Sequence, residues 1–414
     1  MMDSERIFIE TLGCPKNEVD TRIIKKSLLD RGINTLDDAS LADTILINTC
    51  GFLQEAIDET LERIRYWKRK KKSVIVTGCA VERLGKNFFK LRKVESLYLD
   101  EISGLSHSYP VKRQRTLPCA TNQIFDEGKL YHYLKVQEGC KRRCTYCVIS
   151  RIRGPLRSRS IEDLVREIEM VKEKGVVEVI LIAQDLALYG LEIGTNLVEL
   201  LKHLPDHVFY RLMYLHPAGI SEELIKTIGD KENILPYLHI PIQHISQKVL
   251  KSMGRAGGEK AVRKSFELVK KFLPDFYIRT DIMVGFPAEE DEDFEGLINF
   301  LEEVSPQRIA VFKYSHEPGV PSYTLEELLE EVKEERYQIA FEVVQNIMMK
   351  AQKDLVGKEI LVFKDNNDSW SQYDAPHIDF EVTVEGLKTP RWWGKVKIEK
   401  VVETLDLVGF PVMP

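Results

Sequence analysis

The chain has 414 residues, which at roughly 100 to 200 residues per domain predicts two to four domains. Its 43% apolar and 30% charged residues exclude a collagen, a coiled-coil rod or a wholly disordered chain. A net charge of -6 argues against a protein built as a whole to bind nucleic-acid phosphates. Without an export signal or an apolar run of roughly 18 to 20 residues, we expect a cytoplasmic protein with no membrane partner.

Short apolar runs alternate with helical patterns over the first part of the chain. Such an alternation predicts a parallel open sheet with helices on both faces. We assign residues 1–110 to this α/β domain, and residues 111–130, which lack a sustained hydrophobic period, to a linker. The predicted elements are strands at Ile7–Leu12, Asp43–Asn48 and Ser73–Thr77, and helices at Glu18–Arg31 and Leu53–Lys70.

Six further β-like runs, separated by amphipathic helical patterns, lie within residues 131–349. Six β/α units fit a partial (β/α)6 barrel better than the full eight-unit barrel. In such barrels the reactive groups gather at the carboxyl ends of the strands. The predicted strands are Tyr131–Gln137, Glu178–Ala183, Phe209–Leu215, Tyr237–Ile242, Tyr277–Val284 and Ile309–Tyr314.

The pattern changes again over residues 350–414, where short β-like segments occur with almost no helical signal. These segments predict a small antiparallel β-barrel. The region holds nine basic and eleven acidic residues, a net charge of -2. A mildly acidic barrel is poorly suited to binding a phosphate backbone.

The seven cysteines are an odd number in a large chain without an export signal, which favours thiolate chemistry over disulfides. Cys14, Cys50 and Cys79 each stand just beyond one of the three predicted N-terminal strands. Parallel strands bring their carboxyl ends to one edge of a sheet, where open α/β sheets bind ligands. Free cysteine is also often a small buried apolar residue, but three at equivalent places predict a metal or cluster site. Cys119 is interpreted as an ordinary free thiol.

A second set of thiols lies on one short loop directly after the first barrel strand. Cys140, Cys144 and Cys147 form a Cys-x-x-x-Cys-x-x-Cys element, which suits zinc or an iron–sulfur cluster. A structural zinc site is normally closed by four ligands, and no fourth follows at the usual spacing. A four-iron cluster with one iron open to a substrate or cofactor explains the missing ligand. The basic residues 141–143 are expected to favour the thiolate form.

These elements resemble the radical S-adenosylmethionine (SAM) superfamily, and specifically its methylthiotransferase branch. The likeness is carried by the second cysteine loop on a six-unit barrel, by the three N-terminal cysteines, and by a tail similar to a TRAM barrel. It covers nearly the whole chain. Further matching segments are Ile240–Ser246, Met253–Arg255, Arg279–Pro287 and Tyr314–Ser315.

The resemblance implies two [4Fe-4S] clusters, one on Cys140, Cys144 and Cys147 and one on the N-terminal cysteine set. It implies that the cluster on Cys140, Cys144 and Cys147 cleaves SAM to a 5′-deoxyadenosyl radical. It implies that the cluster on the N-terminal set carries the sulfur to be inserted. An electron donor and a sulfur source are implied partners. The two open irons must then face one cavity, so the barrel mouth should face the edge of the N-terminal sheet.

Several polar residues are candidate contacts for SAM by their places in the barrel. Gln184 and Asp185 end the second strand and are candidate acceptors for the SAM ammonium; a helix cap or turn is the alternative. His216, His244 and Arg279 are interpreted as strand-end contacts to ribose or carboxylate, and structural roles are equally open.

The adenine of SAM has its own candidate neighbours. Val284, Gly285 and Phe286 are expected to pack near it, with Gly285 allowing close approach of the backbone. Tyr146, between the second and third cysteines of the loop, is a candidate for stacking on adenine or for ordinary packing.

The resemblance leaves two main substrates, an adenosine of transfer RNA and an aspartate of a small-subunit ribosomal protein, free or in the assembled subunit. Leu12–Asn17 reads Leu-Gly-Cys-Pro-Lys-Asn rather than the Gly-Cys-Gln-Met-Asn of the transfer-RNA branch. Gln372–Asp379 resembles the tail motif of the ribosomal-protein (RimO-type) enzymes, and the tail is acidic. We therefore favour the aspartate. The basic run Arg65–Lys72 is counter-evidence, interpreted as a solvated helix end. A zinc-stabilised RNA-binding protein is the non-enzymatic alternative.

Overall fold

The computed structural model describes residues 6–103, 117, 119–125 and 128–412. Most of the linker expected at residues 111–130, and the boundary expected at residue 110, lie outside these residues. The described chain forms an N-terminal parallel sheet, a central parallel sheet and a C-terminal barrel, which confirms the predicted fold class. Among its helices none is both long and apolar enough to cross a membrane.

The N-terminal sheet has five parallel strands in the order β2-β1-β3-β4-β5. Its three longer strands are the predicted ones, and β3 is buried along its whole length. The edge strands β2 and β5 were not predicted because two residues carry no hydrophobic period. The elements are β1 (Ile7–Thr11), α1 (Pro15–Leu29), β2 (Thr35–Leu36), β3 (Thr44–Thr49), α2 (Gln54–Arg69), β4 (Ser73–Gly78), α3 (Cys79–Leu84), α4 (Lys86–Lys90), β5 (Glu95–Ser96) and α5 (Leu99–Ser103).

The central sheet has six parallel strands in the order β6-β9-β10-β11-β12-β13, so each strand lies beside the next along the chain. This is the predicted partial barrel. A small antiparallel pair, β7 with β8, flanks the cysteine loop. The strands are β6 (Tyr131–Lys135), β7 (Gln137–Glu138), β8 (Arg157–Ser158), β9 (Glu178–Ile182), β10 (Phe209–Leu212), β11 (Ile234–His239), β12 (Tyr277–Val284) and β13 (Arg308–Lys313).

Helices follow or separate the central strands and bury one apolar face each against them. Most begin at a polar cap; the Ser160 hydroxyl, for example, accepts from the backbone N–H of Asp163. The helices are α6 (Ile149–Arg153), α7 (Ile161–Glu173), α8 (Leu197–His203), α9 (Glu222–Gly229), α10 (Gln247–Ser252), α11 (Gly258–Phe272), α12 (Asp291–Val304) and α13 (Glu330–Lys353).

The C-terminal barrel has the strand order β15-β14-β17-β18-β16. It is nearly closed, because the Ser369 hydroxyl of β15 donates to the carbonyl of Val382 in β16 at 2.6 Å. The expectation of a purely antiparallel barrel was wrong in one pairing, since β16 runs parallel to β18. Apolar alternation predicts strands but not their direction. The strands are β14 (Glu359–Asp365), β15 (Asp368–Ser371), β16 (Val382–Val384), β17 (Arg391–Val401) and β18 (Leu407–Pro411).

The C-terminal barrel packs against the amino ends of the central strands. The indole N–H of Trp370 donates to Glu178 at the start of β9, at 2.7 Å. Asp374 pairs with Arg308 at the start of β13, at 2.6 Å. The tail therefore closes the end of the central barrel opposite to the carboxyl ends of its strands, where barrel chemistry gathers.

Helix α1 of the N-terminal domain covers β6, the edge strand of the central sheet. Val19 packs beside Tyr133 in a shared apolar cluster. The Arg22 guanidinium donates to the backbone carbonyl of Tyr133 at 2.6 Å. The first domain thus protects an edge that would otherwise expose unpaired backbone groups.

His132 makes the stability of this interface sensitive to pH. The pKa of His132 is lowered to about 4, first by burial and then by the positive charge of Arg22, despite the hydrogen bond with Glu167. The unfolded chain therefore binds more protons than the folded chain between about pH 6.5 and pH 4. Stability due to this group is complete above that window and is lost as the pH falls through it.

We expect the protein to lose about 2 kcal/mol more unfolding free energy between pH 7 and pH 5 than a His132→Gln variant, because glutamine takes up no proton. Urea unfolding followed by circular dichroism at a series of pH values measures the difference. Parallel pH curves for the two proteins would contradict the assignment.

Candidate active site

The three N-terminal cysteines follow the carboxyl ends of neighbouring strands, as predicted. Cys14 is the N-cap of α1, Cys50 follows β3, and Cys79 opens α3. Their loops touch: a Cβ atom at Gly13 would lie 2.8 Å from the Cβ of Cys50, and one at Gly51 would lie 2.7 Å from the carbonyl carbon of Cys79. Glycine is needed at both places because the cysteine-bearing loops meet at backbone distance.

Burial and mutual proximity shape the chemistry of these thiols. The pKa of Cys50 is raised to about 11, first by burial and, less strongly, by the negative charge that Cys79 and Cys14 would carry. The Arg153 guanidinium lies 3.0 Å from the Sγ of Cys79. Thiols in such a place become thiolates when a metal centre replaces their protons.

The second cysteine set lies on a loop pinned by backbone contacts. Gly139 has φ +82°, and a Cβ there would lie 2.1 Å from the carbonyl oxygen of Pro155. The Thr145 N–H donates to the carbonyl of Met253 at 2.9 Å. Backbone N–H groups also point at sulfur, with Arg142 N 3.4 Å from the Sγ of Cys140.

The basic residues of this loop do not lower the pKa of its thiols overall, contrary to the sequence-based expectation. The pKa of Cys140 is raised to about 11 and that of Cys147 to about 12, chiefly by burial. Arg142 is held by Asp185, with Nε 2.8 Å from the carboxylate, so its charge is shared. These thiols also depend on metal binding to ionise.

The chemistry of the donor sets fits iron–sulfur clusters. Each set supplies three cysteine thiols, and soft thiolates are the ligands that hold such clusters. A structural zinc site is normally closed by a fourth ligand.

The two cysteine sets face each other across the contact between domains. Cys79 packs in one apolar cluster with Val148, Ile152 and Val320, and Val148 directly follows Cys147. The edge of the N-terminal sheet therefore meets the central barrel beside its cysteine loop, and the shared cavity for both sets stays a prediction.

A buried charge cluster joins the same two regions. Its members are Asp20 of α1, Lys135 of β6, Glu138 of β7 and Arg153 of α6, each at most 2% exposed. Lys135 lies 2.6 Å from Asp20 and 2.7 Å from Glu138. Arg153 lies 2.7 Å from Asp20 and also reaches Cys79. We call these four residues the interdomain charge cluster.

Gln184 and Asp185 lie at the mouth after β9 but are already engaged. The Gln184 amide donates to Glu138 at 2.9 Å, while its buried oxygen has no hydrogen-bond partner in the described part of the chain. Asp185 accepts from the N–H of Ala187 at 3.1 Å and holds Arg142, which is the turn-capping alternative. Its contact with SAM stays a prediction.

His216 and His244 share one geometry. Each Nδ1 accepts from the backbone N–H two residues later, at 3.1 Å for Ala218 and 3.0 Å for Ser246. The pKa of His216 is lowered to about 2, mainly by burial and then by Arg255, so its ring is neutral. With Nδ1 accepting, its Nε2 carries the proton, and no described residue accepts it. His244 Nε2 lies 3.3 Å from Glu289.

Arg279 is not at a strand end, and that prediction was wrong. It is the third residue of β12 and pairs with Asp379 at 3.0 Å and with Asp281. Its Nη1 lies 2.9 Å from His239. It therefore links the central barrel to the tail rather than facing the mouth. Sequence periodicity predicted the strand correctly, but it could not predict that Asp379 of the tail is the partner of Arg279.

Val284 is the last residue of β12 and Gly285 and Phe286 follow it, but the close approach expected at Gly285 involves a different neighbour. It has φ +76°, and a Cβ there would lie 2.5 Å from the Cγ of Lys333 in α13. The close approach is thus to α13 rather than to a ligand. Phe286 is fully buried and shares an apolar cluster with the partly buried Tyr146, so packing accounts for the Phe286 ring, and the contact of Tyr146 with adenine stays a prediction.

Lys16 and Arg153 are site residues that the sequence analysis did not predict. Lys16 lies in the first turn of α1, two residues after Cys14, and its Nζ sits 3.3 Å from the centre of the Tyr214 ring beyond β10. Burial lowers the pKa of Lys16 to about 8. The sequence could have indicated Arg153 as a site residue because it is a basic residue on the helix after Cys147. It could have indicated Lys16 because Lys16 lies two residues after Cys14.

Comparison with known proteins agrees with this site. Residues 134–301 match the Radical SAM superfamily, and residues 6–100 match the uncharacterized protein family UPF0004. The chain is 38% identical to the ribosomal protein uS12 methylthiotransferase RimO of Clostridium tetani, over 97% of each chain. It is 35% identical to RimO of Thermosipho melanesiensis, over 92% of this chain and 93% of that protein.

The chain belongs to the RimO family of radical SAM methylthiotransferases. Family membership implies a [4Fe-4S] cluster and SAM as cofactors. Among solved structures, the radical SAM methyltransferase TsrM of Kitasatospora setae has a TM-score of 0.57 at 13% identity, covering 77% of this chain and 74% of TsrM. At that identity the likeness concerns the fold alone.

In this RimO-family chain, removing the Arg153 charge should destabilise the contact between the cysteine sets. Arg153→Met leaves buried carboxylates short of a cation, and we expect a loss of about 3 to 5 kcal/mol in unfolding free energy. Arg151→Met is the matched control, because Arg151 lies on the same helix but is exposed, and should cost about 1 kcal/mol or less. Equal midpoints in urea unfolding would contradict the role of the interdomain charge cluster.

Proposed function

We propose that this protein inserts a methylthio group at the β-carbon of an aspartate of ribosomal protein uS12. Two [4Fe-4S] clusters serve the reaction, one on Cys140, Cys144 and Cys147 and one on the N-terminal cysteine set. The observation that carries the proposal is the meeting of both sets at the Cys79–α6 contact. The RimO relatives, named for uS12, supply the substrate. Action in the cytoplasm, on free uS12 or on the assembled small subunit, is part of the proposal.

When bound on Cys140, Cys144 and Cys147, a cluster would supply the electron for reductive cleavage of SAM, and a cluster on the N-terminal cysteine set would supply the sulfur. The protein's own residues bind and orient. His216 offers its Nε2–H, and Gln184 offers its free oxygen, to the polar groups of SAM. Asp185 fixes Arg142 beside Cys140, and Tyr146, packed on the buried Phe286, forms an apolar wall for adenine. An electron donor and a sulfur source complete the reaction.

The evidence that the tail gives for a protein substrate is its net acidity rather than a substrate contact of the motif Gln372–Asp379. Within Gln372–Asp379, Asp374 forms an ion pair with Arg308, and Asp379 forms one with Arg279. The motif therefore docks the tail on the central barrel and does not itself reach the mouth. The net acidity of residues 350–414 remains complementary to a basic ribosomal protein.

The basic run Arg65–Lys72 is largely the end of helix α2. The helix ends at Arg69, and Trp67 is buried with its indole N–H donating to Glu10 at 2.7 Å. The Lys68 and Lys72 amines donate to backbone carbonyls of neighbouring loops. These contacts favour a helix terminus over an RNA-binding surface.

Cluster occupancy is tested by single cysteine substitutions after anaerobic reconstitution. The unchanged protein should bind about eight iron atoms, and Cys140→Ala and Cys14→Ala should each bind about four. Cys140→Ala should abolish SAM cleavage, whereas Cys14→Ala should spare cleavage and stop methylthiolation. Cys119→Ala, a free thiol away from both sets, should match the unchanged protein. One or two zinc atoms without sulfide would overturn the proposal.

The substrate is tested by mass spectrometry of uS12 and of transfer RNA from cells that lack the protein. We expect one aspartate of uS12 to lose a methylthio group's mass, with methylthioadenosine in transfer RNA unchanged. Reintroducing the gene should restore the modification, and a Cys140→Ala copy should not. Loss of methylthioadenosine with an unaltered uS12 would establish the transfer-RNA alternative instead.

A further inference from the structure

Lys16 is a cation at the mouth that has no carboxylate partner among the described residues, as is Arg255, whose guanidinium lies 4.0 Å from the Sγ of Cys144. Lys135 and Arg153 are each paired with Asp20, and Arg142 is paired with Asp185. No carboxylate of the described residues lies within ion-pair distance of the Lys16 amine, which rests on an aromatic ring instead. A half-buried ammonium without a carboxylate partner leaves its charge available to an acidic ligand.

The ring beneath Lys16 is itself held in an unusual conformation. Tyr214 has φ +67°, in the left-handed region that a bulky aromatic residue seldom adopts. It lies just after β10, at the carboxyl end of the central barrel, and its ring is 4.8 Å from that of His239. Strain of this kind persists where the surroundings impose it, and it concentrates at ligand sites.

The position of the amine is set from both sides. Cys14 caps α1 and Lys16 lies in the first turn, so the N-terminal domain supplies the charge. Tyr214 belongs to the central barrel, so the barrel supplies the surface on which the ammonium rests, by a cation–π contact. The amine thus lies next to the N-terminal cysteine set and at the barrel mouth.

We propose that Lys16 is a specificity-determining residue that binds the side-chain carboxylate of the substrate aspartate. This inference rests on the proposed function and names the group that recognises its substrate. An ammonium facing a carboxylate makes a charge-assisted hydrogen bond, which is stronger than a neutral one. Binding the carboxylate beside Cys14 places the adjacent β-carbon near the N-terminal cysteine set. A neutral side chain, such as an amide, lacks the charge that Lys16 selects.

The test crosses two enzymes with two substrates. The reconstituted holoenzyme and its Lys16→Met variant are titrated with intact uS12 and with uS12 whose modified aspartate is replaced by asparagine. The unchanged enzyme should bind the aspartate form about tenfold or more tightly than the asparagine form. Lys16→Met should bind both forms equally, at the weaker level, because the charge that distinguishes them is gone.

Control variants separate recognition from folding. Lys26→Met removes a lysine of the same helix that is paired with Asp30, and should keep the full preference for aspartate. Lys16→Arg should keep part of it, and Lys16→Gln should lose it as Lys16→Met does. Iron content should match the unchanged enzyme in every variant, which shows that the variants fold and keep both cysteine sets.

A preference for aspartate that survives in both Lys16→Met and Lys16→Gln would overturn the inference while leaving the proposed function in place. Loss of iron in both uncharged variants would also overturn it, because Lys16 would then serve the cysteine site rather than the substrate. If the unchanged enzyme modifies no aspartate of uS12, the proposed function fails, and this inference fails with it.

Discussion

The interdomain charge cluster is the constraint on which the rest of the site depends. Two cations, Lys135 and Arg153, and two carboxylates, Asp20 and Glu138, are removed from water at the meeting of the N-terminal and central domains. Each charge is costly alone and tolerable only with all its partners in place. The domains therefore dock in one orientation, and that orientation brings Cys79 against the helix after Cys147.

This arrangement explains how two cysteine sets far apart in sequence can share one mouth. The parallel N-terminal sheet gathers Cys14, Cys50 and Cys79 at its carboxyl edge, and the central barrel presents its own loop at the carboxyl end of β6. Neither fold fixes the distance between the sets. The Arg153 side chain does, because it reaches Asp20 and the Cys79 sulfur from the same guanidinium. Its positive charge also lies where an anionic cluster would be bound.

Sequence reasoning succeeded where one element determines the outcome. Apolar runs located the longer strands of the two parallel sheets, although not β18 of the tail, and the topological rule for parallel sheets placed three cysteines at one edge. It failed where a partner comes from another domain. Arg279 lies in a correctly predicted strand, but its partner Asp379 is 100 residues away. Gly285 was correctly marked as a close approach, but to Lys333. The charged side chains of Lys135 and Glu138 gave no sign of being buried until docking was known.

The two ends of the central barrel have different roles: one binds the tail, and the other faces the cysteine sets. At the amino ends, Trp370 and Asp374 fix the tail through Glu178 and Arg308, so that end is filled with protein. The carboxyl ends are left to face the N-terminal sheet, where Lys16 rests on the barrel. On the proposed function, a substrate that meets both cysteine sets must approach where the N-terminal sheet adjoins the carboxyl ends of the central strands. An extended loop of a protein fits such an approach between two domains better than a bulky folded surface does.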